Sequence, residues 1–482
     1  MKLAQLTDKI SDPDGTVEIS GLTADSREVQ PGFLFAALPG VNMDGHTFIP
    51  GAIEKGASAI LVPTGTPDVG VPMVQSENPR HELALMAARF FEGQPRTIVA
   101  VTGTNGKSST VEFLRQIWSF ADKKAACLGT LGVTTDDGLS PMHHTTPDPV
   151  SLHRAIHKLS EDGIDYLALE ASSHGLVQSR LDGVAITHTG FTNLSQDHFD
   201  YHDGFESYFV AKARLFSELA KAGSPAAIMV DGPWGRRMAD LARDHNLEVM
   251  SVGWEGEDVR LQELHPLAKS QTLTLDIHGQ LHSVELPLAG EFQALNAVLA
   301  LALALQSGVP ERLALEALKT LHGVRGRMEA VGTTRSGAPV FVDFAHTPDG
   351  LDKLLRALRP HTMGDIHLVF GCGGDRDPLK RPKMGEIATR LADHVIVTDD
   401  NPRYEEAAKI RAAVMATCDG ATEIVNRKEA IITAIGALKA GDALVIAGKG
   451  HESGQIVGDQ CIPFDDAQVA RTALGAAGGS HD

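Results

Sequence analysis

TIVAVTGTNGKSSTVEFLRQIW, Thr97 to Trp118, decides how the rest of the chain is read. Its first five residues form an apolar, β-branched run with no polar alternation, the pattern of a strand buried on both faces. A glycine-bearing loop, TGTNGKSS (Thr102 to Ser109), follows at once, and VEFLRQIW then has helical periodicity. In that order of strand, loop and helix, the backbone N–H groups of the loop and of the helix N-terminus converge on one point and favour phosphate oxygens there. Gly103, Thr104, Asn105, Gly106, Ser108 and Ser109 would form the cradle. Lys107 would reach the β and γ phosphates of a nucleotide, and Ser108 would coordinate Mg²⁺. Val101 stands where a full Walker A motif has its first glycine, so the core that remains is G-x-x-G-K-S.

Working outward, further strands are expected at Ile164 to Leu169, Ile186 to Phe191 and Ala226 to Val230, separated by helix-length stretches. Such alternation predicts a parallel sheet covered by helices. Alternation around His278-Gly279 predicts a hairpin, and Ala294 to Gln306 a long apolar helix. Upstream, FLFAAL (Phe33 to Leu38), a helix at Ala52 to Ala57 and SAILV (Ser58 to Val62) read as a small α/β unit. Downstream, strands at Val340 to Phe344, Ile366 to Phe370, His394 to Thr398 and Ala443 to Ala447 each run into a Gly, Pro or Asp-rich loop. That is a second doubly wound unit, whose ligands gather at the carboxyl ends of the strands. Connectors at Phe91 to Arg96 and Arg325 to Glu329 divide the chain into 1–94, 95–325 and 326–482. The expected fold is α/β with three domains: a central P-loop-type, mostly parallel sheet, a small N-terminal α/β domain and a Rossmann-like C-terminal domain.

A length of 482 residues suits about three cores. The formal charge of −19 argues against nucleic acid and anionic membranes as partners, so an anionic ligand needs a local basic cluster. Met1 to Ile10 has neither a basic nor an apolar leader pattern, and no run approaches a membrane span, which predicts a cytoplasmic protein without membrane insertion. Cys127, Cys372, Cys418 and Cys461 are scattered, which predicts reduced, mostly buried thiols rather than zinc ligands or disulfides.

Several clusters stand at strand ends. Glu170 closes the strand from Ile164, well placed to hold a nucleotide's Mg²⁺. TNLSQDHFDYH (Thr192 to His202) carries Asp197, His198, Asp200 and His202, compatible with a transition metal or with magnesium. Lys212 lies in FESYFVAKARLF, where a lysine snorkelling to water and a functional lysine both fit. HHTTPDP offers Thr145 and Thr146, and SSHGLVQSR offers Ser172, Gln178 and Arg180. GCGGDRDPLKRP (Gly371 to Pro382) carries Arg376, Lys380 and Arg381, a basic loop suited to an anion.

TGTNGKSS, followed in order by these partners, resembles the ATP loop of the Mur ligases and of the related folylpolyglutamate synthases, which join a carboxylate to an amine through an acyl phosphate. The resemblance to the Mur ligases extends over nearly the whole chain. It implies that His198 contacts a second Mg²⁺, that Lys212 carries a CO₂-derived carbamate (N6-carboxylysine), and that Lys107, His198 and Lys212 are catalytic. It implies UDP-sugar contacts at Ser26, in the DSR of Asp25 to Arg27, and at Asn42. Muramoyl-peptide contacts fall at Thr145, Thr146, Ser172, Gln178 and Arg180, where an Arg forks onto an acidic substrate. Asn296, Arg327, His346 and Asp349 match residues facing ATP, although Phe292-Gln293 replaces the usual Phe-Asn. DDNPRYEE (Asp399 to Glu406) and AGKGHES (Ala447 to Ser453) resemble the diaminopimelate-adding branch. Its second α-carboxylate needs a cationic fork, supplied by Arg403, with Arg376, Asp400, Asn401, Gly448 and Glu452 around it.

The activity so implied is ATP-dependent addition of meso-2,6-diaminopimelate to the D-Glu of UDP-MurNAc-L-Ala-D-Glu, by a monomer acting on small molecules. Lysine-adding Mur ligase and folylpolyglutamate synthase are the neighbouring readings. A P-loop NTPase switch and a zinc hydrolase built on Asp197 to His202 are readings of other classes.

Overall fold

The computed structural model describes residues 1–11, 13–40, 44–142, 145–195 and 201–480. Contacts divide the chain into two compact units, Met1–Val252 with Ala302–Pro310, and Gly253–Leu301 with Glu311–Asp482. The α/β class and the mostly parallel central sheet are as the sequence predicts.

In the first unit the strand Thr97–Thr102 lies between His188–Phe191 and Tyr166–Glu170, parallel to both, with Thr102 opposite Phe191 and Val101 opposite Glu170. Pro225–Met229 and Glu248–Gly253 continue the sheet on one side and Ala125–Gly129 on the other, all parallel. Gly132–Thr135 and Gly138–Ser140 add an antiparallel edge. Ile98, Ala100, Leu167, Leu169 and Phe191 turn fully buried side chains into one core with Phe209 and Phe216. Burial on both faces explains why these strands read as continuous apolar runs. Their carboxyl ends meet at one edge, from which the phosphate loop leaves after Thr102 and at which Glu170 ends its strand.

A smaller parallel sheet, ordered Gly21–Thr23, Phe33–Ala36, Ala59–Pro63, Met73–Ser76, forms the start of the same unit. The helix expected at Ala52 to Ala57 begins earlier, at Ile49–Glu54, because Pro50 fixes a helical φ in the first turn. Gln94 ties the connector to the central layer, donating to Gly183 O at 3.0 Å and accepting from Ala185 N at 2.8 Å.

The second unit holds a six-stranded sheet ordered Glu329–Thr333, Pro339–Asp343, Ala443–Ala447, Ile366–Phe370, His394–Val397, Thr422–Glu423, parallel except for its first pair. The loops after Asp343, Ala447, Phe370 and Val397 leave from one edge. Gln271–Ile277 and Gln280–Leu286 form the predicted hairpin, with His278 and Gly279 at φ +50° and +85°, the two left-handed positions of a type I′ turn. Cys127, Cys372 and Cys418 are buried free thiols and Cys461 is exposed. No helix among the described residues is long and apolar enough to cross a membrane.

Candidate active site

The phosphate loop owes its shape to close backbone approach. A Cβ on Gly103 would stand 1.8 Å from Thr192 Oγ1, so no larger residue fits without moving the neighbouring strand end. Gly106 caps the helix Lys107–Phe120 at φ +86°, the left-handed region that glycine enters without a Cβ penalty. The loop is stitched to the residues after the next strand: Thr104 N donates to Asn193 O at 2.8 Å and Asn105 N to Asn193 Oδ1 at 3.1 Å. Thr192 Oγ1 donates to Asn105 O at 2.6 Å. Lys107 Nζ donates to Gly103 O and Thr104 O, both at 2.8 Å, which holds the ammonium over the loop. Ser108 and Ser109 sit in the first turn of the helix, where N–H groups have no intrahelical acceptor and an anion is favoured.

Glu170 is 2 % exposed and draws three groups together. Ser108 Oγ donates to Glu170 Oε1 at 2.8 Å, Thr130 N to the same oxygen at 2.8 Å, and Thr130 Oγ1 to Oε2 at 3.3 Å. A carboxylate and a hydroxyl this close, at the mouth of a phosphate loop, are hard oxygen donors of the kind Mg²⁺ takes. The donor set therefore fits magnesium. Among the described residues no group of three or more His, Cys, Asp or Glu could hold a metal ion. His198, with Asp197 and Asp200, lies outside the described residues.

Lys212 is 1 % exposed, and its Nζ donates to Gly103 O at 2.9 Å and lies 4.1 Å from the Tyr208 ring centroid. It is thus brought to the phosphate loop rather than to water. Its helix, Phe205–Arg214, passes directly into a π turn at Leu215–Leu219, a rare local geometry often found at working sites. Arg214 anchors that end, donating to both oxygens of buried Asp182 at 2.9 and 2.7 Å and to Leu176 O at 2.6 Å. Asp182 also takes His81 Nδ1 at 2.5 Å.

Thr146 Oγ1 donates to Glu170 O at 2.9 Å and accepts from Ser172 N at 3.1 Å, bracing the end of the strand that carries Glu170. The hydroxyls of Thr145 and Thr130 are 3.1 Å apart. Ser172 caps the short helix Ser173–Val177. Arg180 donates to Gln178 Oε1 at 2.8 Å and Thr146 O at 2.6 Å, so Thr146, Ser172, Gln178 and Arg180 form one cluster; burial lowers the Arg180 guanidinium from its ordinary value. Ser26 stands apart from it in the smaller sheet's loop, where Lys55 Nζ donates to Ser26 O at 2.7 Å. Arg27 is paired with Asp25. Asn42 lies outside the described residues.

In the second unit, Arg327 stacks over Phe344 at 4.8 Å, and His346 packs its ring 4.5 Å from the same phenyl. Burial, chiefly, lowers the His346 pKa. Asn296 donates to Gln293 Oε1 at 3.4 Å, and Gln293 Nε2 donates to Arg327 O at 2.9 Å, so the replacement amide links Asn296 to Arg327. Asp349, in the first turn of Pro348–Leu358, pairs with Lys353.

The loops after Phe370, Val397 and Ala447 converge on a second cluster. Asn401 Nδ2 donates to Glu452 Oε2 at 2.8 Å, joining segments 51 positions apart. Arg403 adopts φ +52°, and its Nη1 donates to Gly374 O at 2.8 Å. A Cβ on Gly373 would meet Arg403 Nη1 at 2.9 Å and Arg376 Cγ at 4.0 Å, which sets Arg376 beside the same loop. Asp400 is buried, accepting from Asn401 N at 2.6 Å, and a Cβ on Gly448 would stand 2.8 Å from its Oδ2. Lys380 and Arg381, expected in the basic loop, instead open the helix Lys380–Leu391; Arg381 is buried there and holds the Glu405 carboxyl below its usual range.

Comparison with known proteins finds a match in three successive segments of the chain. Residues 18–91 match the Mur ligase family catalytic domain, 101–304 the Mur ligase middle domain, and 326–450 the Mur ligase glutamate ligase domain. The chain belongs to the Mur ligase family. It is 49 % identical over 466 residues, 97 % of this chain and 95 % of the relative, to the UDP-N-acetylmuramoyl-L-alanyl-D-glutamate–2,6-diaminopimelate ligase of Agrobacterium fabrum. The protein of the same name from Zymomonas mobilis is 44 % identical over 460 residues, 95 % of each chain. A solved structure of a ligase with that name superposes over 100 % of both chains with a TM-score of 0.76 at 32 % identity. A folylpolyglutamate synthase of Mycobacterium tuberculosis, 18 % identical with a TM-score of 0.62 over 84 % of this chain and 96 % of its own, shares the fold.

Three residues of this Mur ligase escaped the reading of its sequence. Thr130 fixes Glu170, and its signal is faint: a hydroxyl after the strand AACLG. Asn193 holds the phosphate loop from the end of the next strand, a place where a small amide was there to be noticed. Lys449 has no exposed surface at all, and a lysine between two glycines after ALVIA was the available signal.

Proposed function

We propose that this Mur ligase adds meso-2,6-diaminopimelate to the γ-carboxylate of D-Glu in UDP-MurNAc-L-Ala-D-Glu, with ATP and Mg²⁺, as a cytoplasmic monomer of peptidoglycan biosynthesis. Within it, 1–94 binds the UDP-sugar, 95–325 binds ATP and 326–482 binds the amino acid. The γ-carboxylate oxygen attacks the γ-phosphorus, ADP leaves, and the amine then attacks the acyl carbon with loss of phosphate. Lys107 and the loop amides neutralise charge on the phosphoryl group in transfer, the dominant need of such a reaction. Mg²⁺, held by Ser108 and Glu170 with His198 at a second ion, would add charge neutralisation at the phosphate oxygens. Carbamylation of Lys212 would replace an ammonium beside the loop with an anionic oxygen ligand.

Ser26 and Asn42 are assigned to the UDP end of the substrate, and Thr145, Thr146, Ser172, Gln178 and Arg180 to its peptide end. Asn296, Arg327, His346 and Asp349 are assigned to ATP. Arg403 and Arg376 answer the second carboxylate of the amino acid, and Asn401, Asp400, Gly448 and Glu452 its polar remainder. The observation that carries the substrate assignment is the meeting of the Asp-Asn-Pro-Arg and Gly-Lys-Gly-His-Glu segments through Asn401 and Glu452. The names of the relatives support it. Product formation with diaminopimelate, L-lysine or L-ornithine, each with ATP and the UDP-muramoyl dipeptide, tests it. Diaminopimelate is expected to be used best, and preference for lysine would refute the role of Arg403. Folate and glutamate should yield nothing.

A further inference from the structure

We propose that Lys449 is a positioning residue that sets the amino-acid preference of the pocket formed by Asn401, Arg403 and Glu452. This rests on the reading of that pocket as the seat of a diamino dicarboxylate.

Lys449 is 0 % exposed, and a buried ammonium persists only where its charge and its hydrogen bonds are met. Its Nζ donates to Asn401 Oδ1 and to Glu452 Oε2, each at 2.8 Å. Asn401 Oδ1 also accepts from Ile456 N at 2.9 Å. With two donors on its oxygen, the carboxamide can face only one way, and its Nδ2 is directed to Glu452 Oε2. Glu452 Oε2 therefore holds two donors, while Oε1 receives no hydrogen bond among the described residues and the side chain is 34 % exposed. Lys449 thus fixes which oxygen of Glu452 faces a ligand and which end of the Asn401 amide does not.

The electrostatic consequence concerns selectivity. Glu452 is compensated from below by Lys449, so it attracts an incoming ammonium less than a bare carboxylate would. Discrimination then falls to the distal carboxylate of the substrate, answered by Arg403, whose guanidinium is braced on Gly374 O. A zwitterionic far end satisfies both groups, and a far end that is only an ammonium leaves the guanidinium unanswered. Without Lys449, Glu452 regains its full pull and the lone ammonium gains ground.

The test uses the full-length enzyme as Lys449→Met, Glu452→Gln and the double variant. KM and kcat are measured separately for ATP, diaminopimelate and L-lysine, and thermal denaturation checks folding. Lys449→Met is expected to raise the KM for diaminopimelate roughly tenfold, because the Asn401 amide and the Glu452 carboxylate lose the charge-assisted bonds that hold their orientation. The KM for ATP should stay within about twofold, and the preference for diaminopimelate over lysine should narrow. In the Glu452→Gln background the same substitution should add less than about twofold, since coupled residues are non-additive. An unchanged preference, equal effects on ATP and amino acid, or full additivity would overturn the proposal. Should Lys449→Met not fold, Lys449→Gln carries the same comparison. A wild-type enzyme that ignores diaminopimelate would overturn the reading of the pocket itself, whereas one that uses it while the variant keeps its preference overturns the role of Lys449 alone.

Discussion

Backbone atoms make the phosphate loop, whereas side chains make the cluster proposed to seat the amino acid. Around Gly103 the decisive facts are a would-be Cβ 1.8 Å from Thr192 Oγ1, a left-handed Gly106 and a lysine lying on its own loop's carbonyls. Around Asn401 they are a buried ammonium, an amide with both ends committed and a carboxylate with one oxygen open. The first kind of site fails when a carbon is added and the second when a charge is removed. On the proposed reading, one design serves phosphoryl transfer and the other the choice of substrate.

The largest expected effect tests the first design. Lys107→Ala should lower kcat by roughly 10³-fold in an ADP-release assay, the scale of losing a charged group that stabilises the transferring phosphoryl. An effect under tenfold would break the comparison on its catalytic side. Gly103→Ala should cost about 3 kcal/mol in urea unfolding, as overpacking against a strand end does. A wild-type midpoint would show that the strand end yields. For the second design, Arg403→Lys keeps the charge but loses the fork, and should raise the KM for diaminopimelate about tenfold while leaving that for ATP unchanged. Equal shifts in both would mean that activation and selection are not separable.

The smallest effect is a change of slope with pH. Burial, chiefly, pulls the His451 pKa down from 6.5 to about 4, and nearby Arg327 adds to it. Between those values the unfolded chain takes up a proton that the folded chain refuses, so this part of the stability is present above pH 6.5 and is lost progressively as pH falls toward 4. His451→Gln should flatten the dependence of the urea midpoint over that window. An unaltered slope would show that the ring titrates normally.

What could be read from the sequence follows the same division. Strand, glycine loop and helix were readable from Thr97 to Trp118 because conformation there is set by local residue types. Ile366–Phe370 and Ala443–Ala447 were read to the residue because both are buried apolar runs with sharp ends. Glu170 was readable as a strand-end carboxylate. Its partner Thr130 was not, because a hydroxyl has no local signature and the contact spans 40 positions. Lys449 was passed over for a related reason. A buried lysine is uncommon, and what makes it tolerable, Asn401 48 positions away, is a fact of tertiary structure. Gln293 shows the converse: read as a departure from the family pattern, it proves to hold Arg327 O through its longer amide.

The most direct measurement follows an oxygen atom. With the D-Glu γ-carboxylate labelled with ¹⁸O, turnover with ATP and diaminopimelate should release phosphate carrying one labelled oxygen, because the carboxylate oxygen leaves on phosphorus when the amine attacks. Unlabelled phosphate beside labelled amide product would contradict activation by phosphoryl transfer at the Lys107 loop.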